Sequence, residues 1–152
     1  MDISFTPIGF IHNCRLTIED DSWGNILSTI ELSEHLDHSS LNGIEAFSHL
    51  DIIFFFDKVD KQSIQYQSRN PRNNENYPSV GIFAQRGKNR PNRIGLTTVR
   101  LIEHSYRTLT VEGLDAVNGT PVLDIKPVFN EFLPKGKIKQ PNWAVDLMKN
   151  YW

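Results

Sequence analysis

Cysteine, long apolar runs, internal repeats and excess charge of either sign are scarce or absent in this chain, and each absence excludes a class of protein. The one cysteine, Cys14, excludes an internal disulfide and any zinc site built from several cysteines. A lone thiol is compatible with a reducing compartment, which favours a cytoplasmic location. No residue pattern accompanies Cys14, so a nucleophilic role for its thiol is disfavoured.

The formal net charge is only −2 at pH 7 in a chain of 152 residues. This balance excludes a protein that binds nucleic acid through global positive charge, so any anion-binding surface must be local. The longest apolar run, residues 52–56, is far too short to cross a bilayer. The first residues lack the charged and apolar segments of a signal peptide. We therefore expect no membrane partner.

Hydrophobic residues make up 39% of the chain and charged residues 22%, which is typical of soluble globular proteins. The length suits one domain with a hydrophobic core, and no shift in composition marks a boundary. We expect a single domain over residues 1–152, with a core at about 3–128 and a C-terminal helical extension at about 142–152.

Apolar and β-branched segments separated by polar connections predict about seven strands. They lie at residues 3–12, 26–32, 49–57, 94–102, 109–115 and 121–129, with a further strand-like run that begins at residue 80. The continuous apolar run at 52–56 predicts a strand buried on both faces. Because strands far outnumber helices, the pattern favours a mainly β fold in which an antiparallel sheet closes into a barrel.

Two short helices and one long loop complete the prediction. Apolar residues recur every third position over residues 41–50, which predicts a short helix that Gly43 weakens. Asn142 is a candidate N-cap of a C-terminal helix with Trp143, Leu147 and Tyr151 on one face. The polar residues 58–78 predict a long mobile loop.

The stretch from Val80 to Leu96 is the strongest candidate site. Glycine and proline stiffen a loop in which four cations are concentrated, Arg86, Lys88, Arg90 and Arg93. Such a loop presents guanidinium and backbone N–H groups to an anionic or carboxylate-bearing ligand. A solvated basic hairpin loop is the alternative, and the residue pattern alone leaves both open.

Several motifs in the chain match one known family. They are Phe83-Ala84-Gln85-Arg86, Arg90-Pro91-Asn92-Arg93-Ile94-Gly95-Leu96, Leu114-Asp115, and Asn118-Gly119-Thr120-Pro121-Val122-Leu123-Asp124-Ile125-Lys126-Pro127. Pro7-Ile8-Gly9, Leu41-Asn42-Gly43-Ile44-Glu45 and Phe47-Ser48-His49-Leu50 match the same family. Over about residues 3–128 the chain resembles the TsaA-like, or TrmO-type, S-adenosylmethionine-dependent tRNA methyltransferases.

The resemblance implies a β-barrel that acts as a homodimer, with S-adenosyl-L-methionine bound near the subunit interface. It implies methylation of N6-threonylcarbamoyladenosine beside the anticodon of tRNA. By position, the cofactor loop would comprise Phe83, Ala84, Gln85, Arg86, Arg90, Pro91 and Asn92. A facing wall would comprise Leu123, Asp124, Ile125, Lys126 and Pro127.

The chain departs from the family pattern inside the cofactor loop. Arg93 stands where the family usually has proline, and Gly87-Lys88 stands where it usually has Ser-Pro. Because the sequence ends at Trp152, we also expect no additional C-terminal domain of the kind that longer members carry. These departures leave open a different acceptor, either a small metabolite or another nucleoside, and a noncatalytic module that only binds the cofactor.

Methyl transfer from a sulfonium needs an in-line acceptor, exclusion of water and a group that takes the acceptor's proton. The candidate bases are Asp124, His49 and Asp115, in falling order, while Arg86 or Arg90 would grip the cofactor's carboxylate. Each has a structural alternative: Asp124 and Lys126 as solvent-facing strand residues, and His49 as a structural histidine.

A basic border to the site would serve an RNA substrate, and four side chains are candidates for it: Arg69, Arg72, Lys88 and Arg93. No metal is expected, because His35, His38 and His49 are not accompanied by a further spaced ligand. Trp143, Tyr151 and Trp152 are assigned to helix packing or a dimer contact in preference to base stacking.

Overall fold

The computed structural model describes residues Met1 to Trp152 and contains eight strands and one α-helix. In chain order these are β1 (Gly9–His12), β2 (Leu27–Leu32), β3 (His49–Phe55), β4 (Ser68–Arg69), β5 (Val80–Gly81), β6 (Ile94–Ser105), β7 (Thr108–Glu112), β8 (Pro121–Pro127) and α1 (Asn142–Leu147). Short 3-10 helices lie at His38–Leu41, Ile44–Ala46, Lys61–Ser63, Pro71–Asn73, Ile82–Ala84 and Asn130–Phe132. None of these helices has the length and apolar character that crossing a bilayer requires.

Six strands form a closed barrel in the order β1-β2-β7-β6-β3-β8, and every neighbouring pair is antiparallel. The predicted mainly β, antiparallel barrel is therefore confirmed. Closure leaves no free sheet edge around most of the ring. The remaining strands, β4 and β5, pair with each other as a separate two-stranded ribbon beside the barrel.

The core fills the interior of the barrel because inward-facing side chains alternate with outward-facing ones along each strand. Its fully buried members come from every barrel strand and include Ile11, Ile30, Leu50, Ile52, Phe54, Val99, Leu109, Val111 and Val122. Each such side chain stabilises the fold by about 1.5–3 kcal/mol. A turn at Asn118-Gly119 leads into β8, with Gly119 at a φ of 85°.

The prediction that the strand at 49–57 is buried on both faces is wrong. Leu50, Ile52 and Phe54 are buried inside the barrel, whereas Ile53 and Phe55 face outward and are only half-buried. The outer face of β3 is thus apolar and partly open, which matters for the site described below.

The short helix predicted at residues 41–50 does not form, whereas the C-terminal helix forms with a different cap and a shorter span. Residues 41–50 contain the end of one 3-10 helix, a second at Ile44–Ala46 and the start of β3. Gly43, at a φ of 85°, separates the two turns and prevents a continuous helix. At the C-terminus, Pro141 occupies the N-cap position of α1 and Asn142 is its first residue, so the predicted cap is wrong by one position.

Residues 58–78 are not irregular throughout, contrary to the prediction. Two 3-10 helices and β4 lie within them, and β4 pairs with β5 across the loop. The Asn70 side chain donates a hydrogen bond from Nδ2 to the Tyr77 carbonyl at 2.7 Å, which closes the far end of the segment. This segment therefore gives the arginine-bearing loop an ordered support.

Candidate functional site

The loop between β5 and β6 is held by two of the side chains predicted to bind the cofactor. Gln85 donates from Nε2 to the carbonyls of Arg69 and Val80, at 3.0 and 2.9 Å, and so clamps the β4–β5 ribbon. Arg90 donates from Nη1 to the Gln85 carbonyl at 3.1 Å. Both side chains thus donate hydrogen bonds to main-chain carbonyls, and these bonds help to fix the shape of the loop.

Arg86 fastens the loop to the barrel at an unpaired stretch of β6. The pairing between β6 and β7 covers residues from Arg100 onward, so residues 94–99 of β6 pair only with β3. Along this free edge Arg86 donates from Nη2 to the Leu96 carbonyl at 2.7 Å. A guanidinium has five N–H donors, and the others of Arg86 remain available to a ligand at this exposed position.

Arg93 ends the loop in a left-handed backbone conformation, with a φ of 51°. Its guanidinium lies over the ring of Phe55, 4.4 Å from the centroid, and donates from Nη1 to the Val59 carbonyl at 3.3 Å. Proline fixes φ near −65° and cannot adopt this conformation. The loop backbone at this position is therefore one that proline does not permit.

The arginine loop and β8 border the same outer face of the barrel. In the register of the sheet, Leu96 on β6 lies opposite Ile53 on β3, which in turn lies opposite Asp124 on β8. Two strand spacings separate Leu96 from Asp124, a distance of about 10 Å. Ile94 and Leu96 are exposed on this face, and Phe83 beside them is 78% exposed. In the single chain these residues therefore share an open surface and do not form opposite walls of one cavity.

Asp124 and Lys126 are the members of the predicted wall with polar groups on this face. The Lys126 ammonium lies 2.7 Å from Oδ2 of Asp124, and the hydrogen bond to that carboxylate raises the pKa of Lys126. Oδ1 of Asp124 accepts from the Ile125 backbone N–H at 2.9 Å. The side chain of Ile125 packs against the core, and Leu123 stands at a β-bulge in the pairing with β3.

The structure does not bring His49 to the arginine loop. His49 begins β3, while the loop contacts Phe55 at the other end, six residues or about 20 Å along the strand. Nδ1 of His49 lies 2.8 Å from the hydroxyl of its neighbour Ser48. Nor do the described histidines belong to any group of three or more His, Cys, Asp and Glu side chains suited to a metal ion.

A cavity of about 1340 Å³ lies between the arginine loop, the mouth of the barrel and the C-terminal residues. Of the predicted site residues it is lined by Phe83, Ala84, Gln85, Arg86, Arg90 and Asp115. The lining does not include Pro91, Asn92, His49 or residues 123–127. It does include Trp143, Tyr151 and Trp152, which the sequence analysis assigned to packing, because helical spacing shows a shared face without showing what that face contacts.

Asp115 is the carboxylate at the inner end of this cavity, and both of its oxygens accept hydrogen bonds. The Thr97 hydroxyl donates to Oδ1 and the Tyr151 hydroxyl to Oδ2. Burial, reinforced by the charge of Asp115, raises the pKa of Tyr151 far above its usual value. Tyr151 therefore stays protonated and acts as a donor at neutral pH, and Asp115 anchors the C-terminal residues to the barrel.

Two of the cations predicted to contact RNA are paired with carboxylates at the rim of the cavity. Arg72 bonds to Asp21 at 2.7 Å, and this partner raises the pKa of the guanidinium. Lys88 lies 3.9 Å from Asp20. These acidic partners reduce the positive charge that this rim offers to a phosphate backbone.

Comparison with known proteins identifies relatives over most of the chain. A family model described as the tRNA-methyltransferase O N-terminal domain matches residues 18–132. A human tRNA (adenine(37)-N6)-methyltransferase is 37% identical over 111 residues, which cover 73% of this chain and 25% of that protein. A probable S-adenosyl-L-methionine-binding protein from Pyrococcus abyssi is 33% identical over 135 residues, covering 86% of this chain and 70% of that protein.

Solved structures give the same result. The crystal structure of TrmO from Pseudomonas aeruginosa superposes with a TM-score of 0.74 at 28% identity, over 93% of this chain and 61% of that one. A putative S-adenosylmethionine-dependent methyltransferase from the same species is 36% identical over 133 residues, 84% of this chain and 57% of that protein. The chain thus spans 25% of the human methyltransferase and 57% of the putative methyltransferase from Pseudomonas aeruginosa. The resemblance seen in the sequence is confirmed, and the chain belongs to the TrmO N-terminal domain family.

Proposed function

We propose that this protein is an S-adenosylmethionine-dependent methyltransferase that methylates N6 of N6-threonylcarbamoyladenosine beside the anticodon of tRNA. The observation that carries the proposal is the arginine loop fixed on the free edge of β6, in a chain whose relatives are tRNA methyltransferases. A rat tRNA (adenine(37)-N6)-methyltransferase, for example, is 39% identical over 135 residues, covering 83% of this chain and 31% of that protein.

The loop residues fit the chemistry of this cofactor. Arg86 retains donors for a carboxylate after bonding to Leu96, and a bidentate contact of this kind adds both energy and orientation. Phe83 offers an exposed ring to an adenine. Asp124 has a carboxylate on the same face that can accept from ribose hydroxyls. Gln85 and Arg90 would act through the main chain, by keeping the loop in the shape that presents these groups.

When bound, S-adenosylmethionine supplies the methyl group on a positively charged sulfur. The protein has to orient the acceptor nitrogen, exclude water and accept its proton. Asp124 is the first candidate for the proton, because its carboxylate lies on the same outer face as Leu96, two strands away in the sheet register. Asp115 ranks next, since both its oxygens already accept hydroxyl groups. His49 ranks last, at about 20 Å along β3 from the loop.

A homodimer would complete the site. The outer face around Ile53, Phe55 and Leu96 is apolar and partly exposed, and a cofactor there would be open to water in the single chain. Water would compete with the acceptor for the methyl group. It would also weaken the electrostatic interactions by which the protein's fixed dipoles assist the transfer. A second copy seated on this face would bury the apolar residues and close the site in one step.

The direct test is methylation of tRNA that carries N6-threonylcarbamoyladenosine, with nucleosides analysed by mass spectrometry. We expect a methylated form of that nucleoside to appear in proportion to enzyme and cofactor. If the protein binds the cofactor but leaves the tRNA unchanged, supplied nucleosides and small amines should be screened as acceptors. Absence of cofactor binding in calorimetry would overturn the proposal.

A further inference from the structure

All three tryptophans of the chain, Trp23, Trp143 and Trp152, line the same cavity. Two of them belong to the C-terminal segment, residues 142–152, which lies outside the residues matched by the family model. The segment forms one wall of the cavity, and the arginine loop forms another. Indole rings gathered at one cavity make it suited to a flat aromatic ligand, which can stack against them.

We propose that this cavity receives the nucleobase of the methyl acceptor and that the C-terminal segment supplies the aromatic wall against which the base stacks. The inference rests on the proposed function, because it takes the ligand to be a purine nucleoside that must reach a bound methyl donor. It assigns the acceptor to the inner side of β6, and it leaves the outer face of the barrel to the cofactor.

The cavity connects these two sides around the free edge of β6. Its lining includes Leu96 and Thr98, which face outward, and Thr97, whose buried side chain faces the interior. A base inserted from the C-terminal side can thus approach the place where Arg86 meets the Leu96 carbonyl. The volume of about 1340 Å³ exceeds the roughly 300–1,000 Å³ typical of a site for one small molecule. It leaves room for a nucleobase beside part of a cofactor.

The chemistry of the lining suits a purine. Trp143 and Tyr151 are half-buried, so ring surface remains open to a ligand, and bases of any sequence stack on such faces. Arg15 already covers one side of the buried Trp23, 4.9 Å from its ring centroid. Thr97, Asp115 and the Tyr151 hydroxyl form a hydrogen-bonded group at the inner end, where donors and acceptors of a base edge can exchange with them.

The way the C-terminal segment is attached allows a base that is part of a polynucleotide to enter. The backbone N–H groups of Ser22 and Trp23 donate to the carbonyls of Asn150 and Tyr151, at 3.0 and 2.7 Å. Every residue from 129 to 142 is exposed, so the strap that leads to α1 has no part in the core. We take the segment to move aside, by opening these hydrogen bonds and the one between Tyr151 and Asp115, when a base that is part of a polynucleotide enters.

The three tryptophans make the proposal measurable in the intact protein, because a base that stacks in the cavity quenches their fluorescence. We expect saturable quenching by adenosine, and we expect it to persist when S-adenosylhomocysteine is present at a saturating concentration. Trp143→Leu should weaken adenosine binding at least tenfold and leave the calorimetric affinity for S-adenosylhomocysteine within twofold. Phe132→Leu is the matched control, since Phe132 is 86% exposed and lies outside the cavity.

A second variant displaces the wall without removing a ring from it. A methyl group on Gly24 would lie 2.7 Å from the main-chain carbon of Trp152, so Gly24→Ala must push the C-terminal segment away. We expect it to weaken adenosine binding as Trp143→Leu does, and to raise KM for tRNA more than it lowers kcat.

Three results would overturn the inference. If S-adenosylhomocysteine abolishes the quenching, the cavity holds the cofactor's own adenine. If S-adenosylhomocysteine binds and adenosine does not quench, the acceptor base lies elsewhere, although the proposed function stands. If S-adenosylhomocysteine itself does not bind, the proposed function fails, and the inference fails with it.

Discussion

The guanidinium carbon of Arg93 lies 4.4 Å from the centroid of the Phe55 ring, on the outer face of β3. The main chain reinforces this contact, since the Phe56 N–H donates to the Arg93 carbonyl at 2.8 Å. The arginine loop is therefore joined to the barrel at both ends, by Arg86 on β6 and by Arg93 on β3. The left-handed backbone at residue 93 is what turns its side chain onto the ring.

Arg93→Pro should destabilise the protein, although the resemblance in the sequence leads us to expect proline at this position. The substitution forces φ from 51° to about −65° and removes both the cation–π contact and the bond to the Val59 carbonyl. We expect a loss of at least about 1 kcal/mol, or a fall in Tm of roughly 2–4 °C or more.

Arg93→Gly is the matched variant, because glycine keeps the backbone conformation and removes the same side chain. Thermal unfolding should place it between the wild type and Arg93→Pro. A proline variant as stable as the wild type would show that the left-handed conformation is not required in solution.

Gly95→Ala should also destabilise the fold, through the core and not through the loop. A methyl group at Gly95 would overlap the Phe54 ring, whose atoms Cε2 and Cζ occupy that space inside the barrel. Overpacking of this kind costs about 1–3 kcal/mol. Urea unfolding measures the loss, and Phe54→Leu in the same chain should recover part of it.

Gly87→Ala provides the comparison for Gly95→Ala, since no atom lies within 4 Å of a methyl group at that position. Its midpoint in urea should match that of the wild type. Equal losses at the two positions would mean that the effect comes from glycine's backbone freedom and not from the Phe54 ring.

Arg86→Ala should weaken binding of S-adenosylmethionine at least about tenfold, because it removes both the hydrogen bond to Leu96 and the free donors beside it. Isothermal titration calorimetry gives the affinity directly. Arg100→Ala changes another arginine close to the same face, one whose partner is Glu112 at 2.7 Å on β7. That control should bind as the wild type does, and a loss shared by both variants would refute a specific role for Arg86.

The barrel was predictable because apolar and polar residues alternate along most of its strands with a period of two, and this alternation is visible in the sequence. The half-exposed outer face of β3 was not predictable, since an unbroken apolar run hides which side chains face water. Ile53 and Phe55 look like core residues in the sequence and lie on the outer face. The apolar residues spaced by three over residues 41–50 predict a helix that does not form. Gly43 interrupts it, because its backbone is in the left-handed conformation.

The motif predicts a candidate site, but the roles of its side chains depend on contacts that no motif encodes. Gln85 and Arg90 look like ligand-binding residues in the sequence, yet they donate to main-chain carbonyls. Tyr151 is 36 positions from Asp115 in the chain and bonds to it in the fold. Contacts between residues so far apart in the sequence depend on the path of the C-terminal strap, and the sequence of the strap has no periodic pattern that predicts this path.

The contact between Tyr151 and Asp115 predicts a specific loss of stability at alkaline pH. The pKa of Tyr151 is raised in the folded protein, mainly by burial and then by the charge of Asp115, whereas in the unfolded chain it is about 10. Protonated Tyr151 is therefore favoured by folding. Its contribution is complete below about pH 10 and declines as the pH rises above that value, by at most about 1.4 kcal/mol per pH unit. Solvent at the half-exposed ring reduces the size of the pKa shift, and with it the pH range over which this loss continues.

Chemical unfolding of the wild type and of Tyr151→Phe between pH 8 and 11 measures the effect as a difference in slope. The wild type should lose stability more steeply above about pH 10, because phenylalanine has no proton to release. Tyr66→Phe is the control, since the side chain of Tyr66 is 72% exposed, and it should follow the wild type. Parallel curves for the wild type and Tyr151→Phe would mean that the C-terminal segment does not hold the Tyr151 hydroxyl against Asp115 in solution.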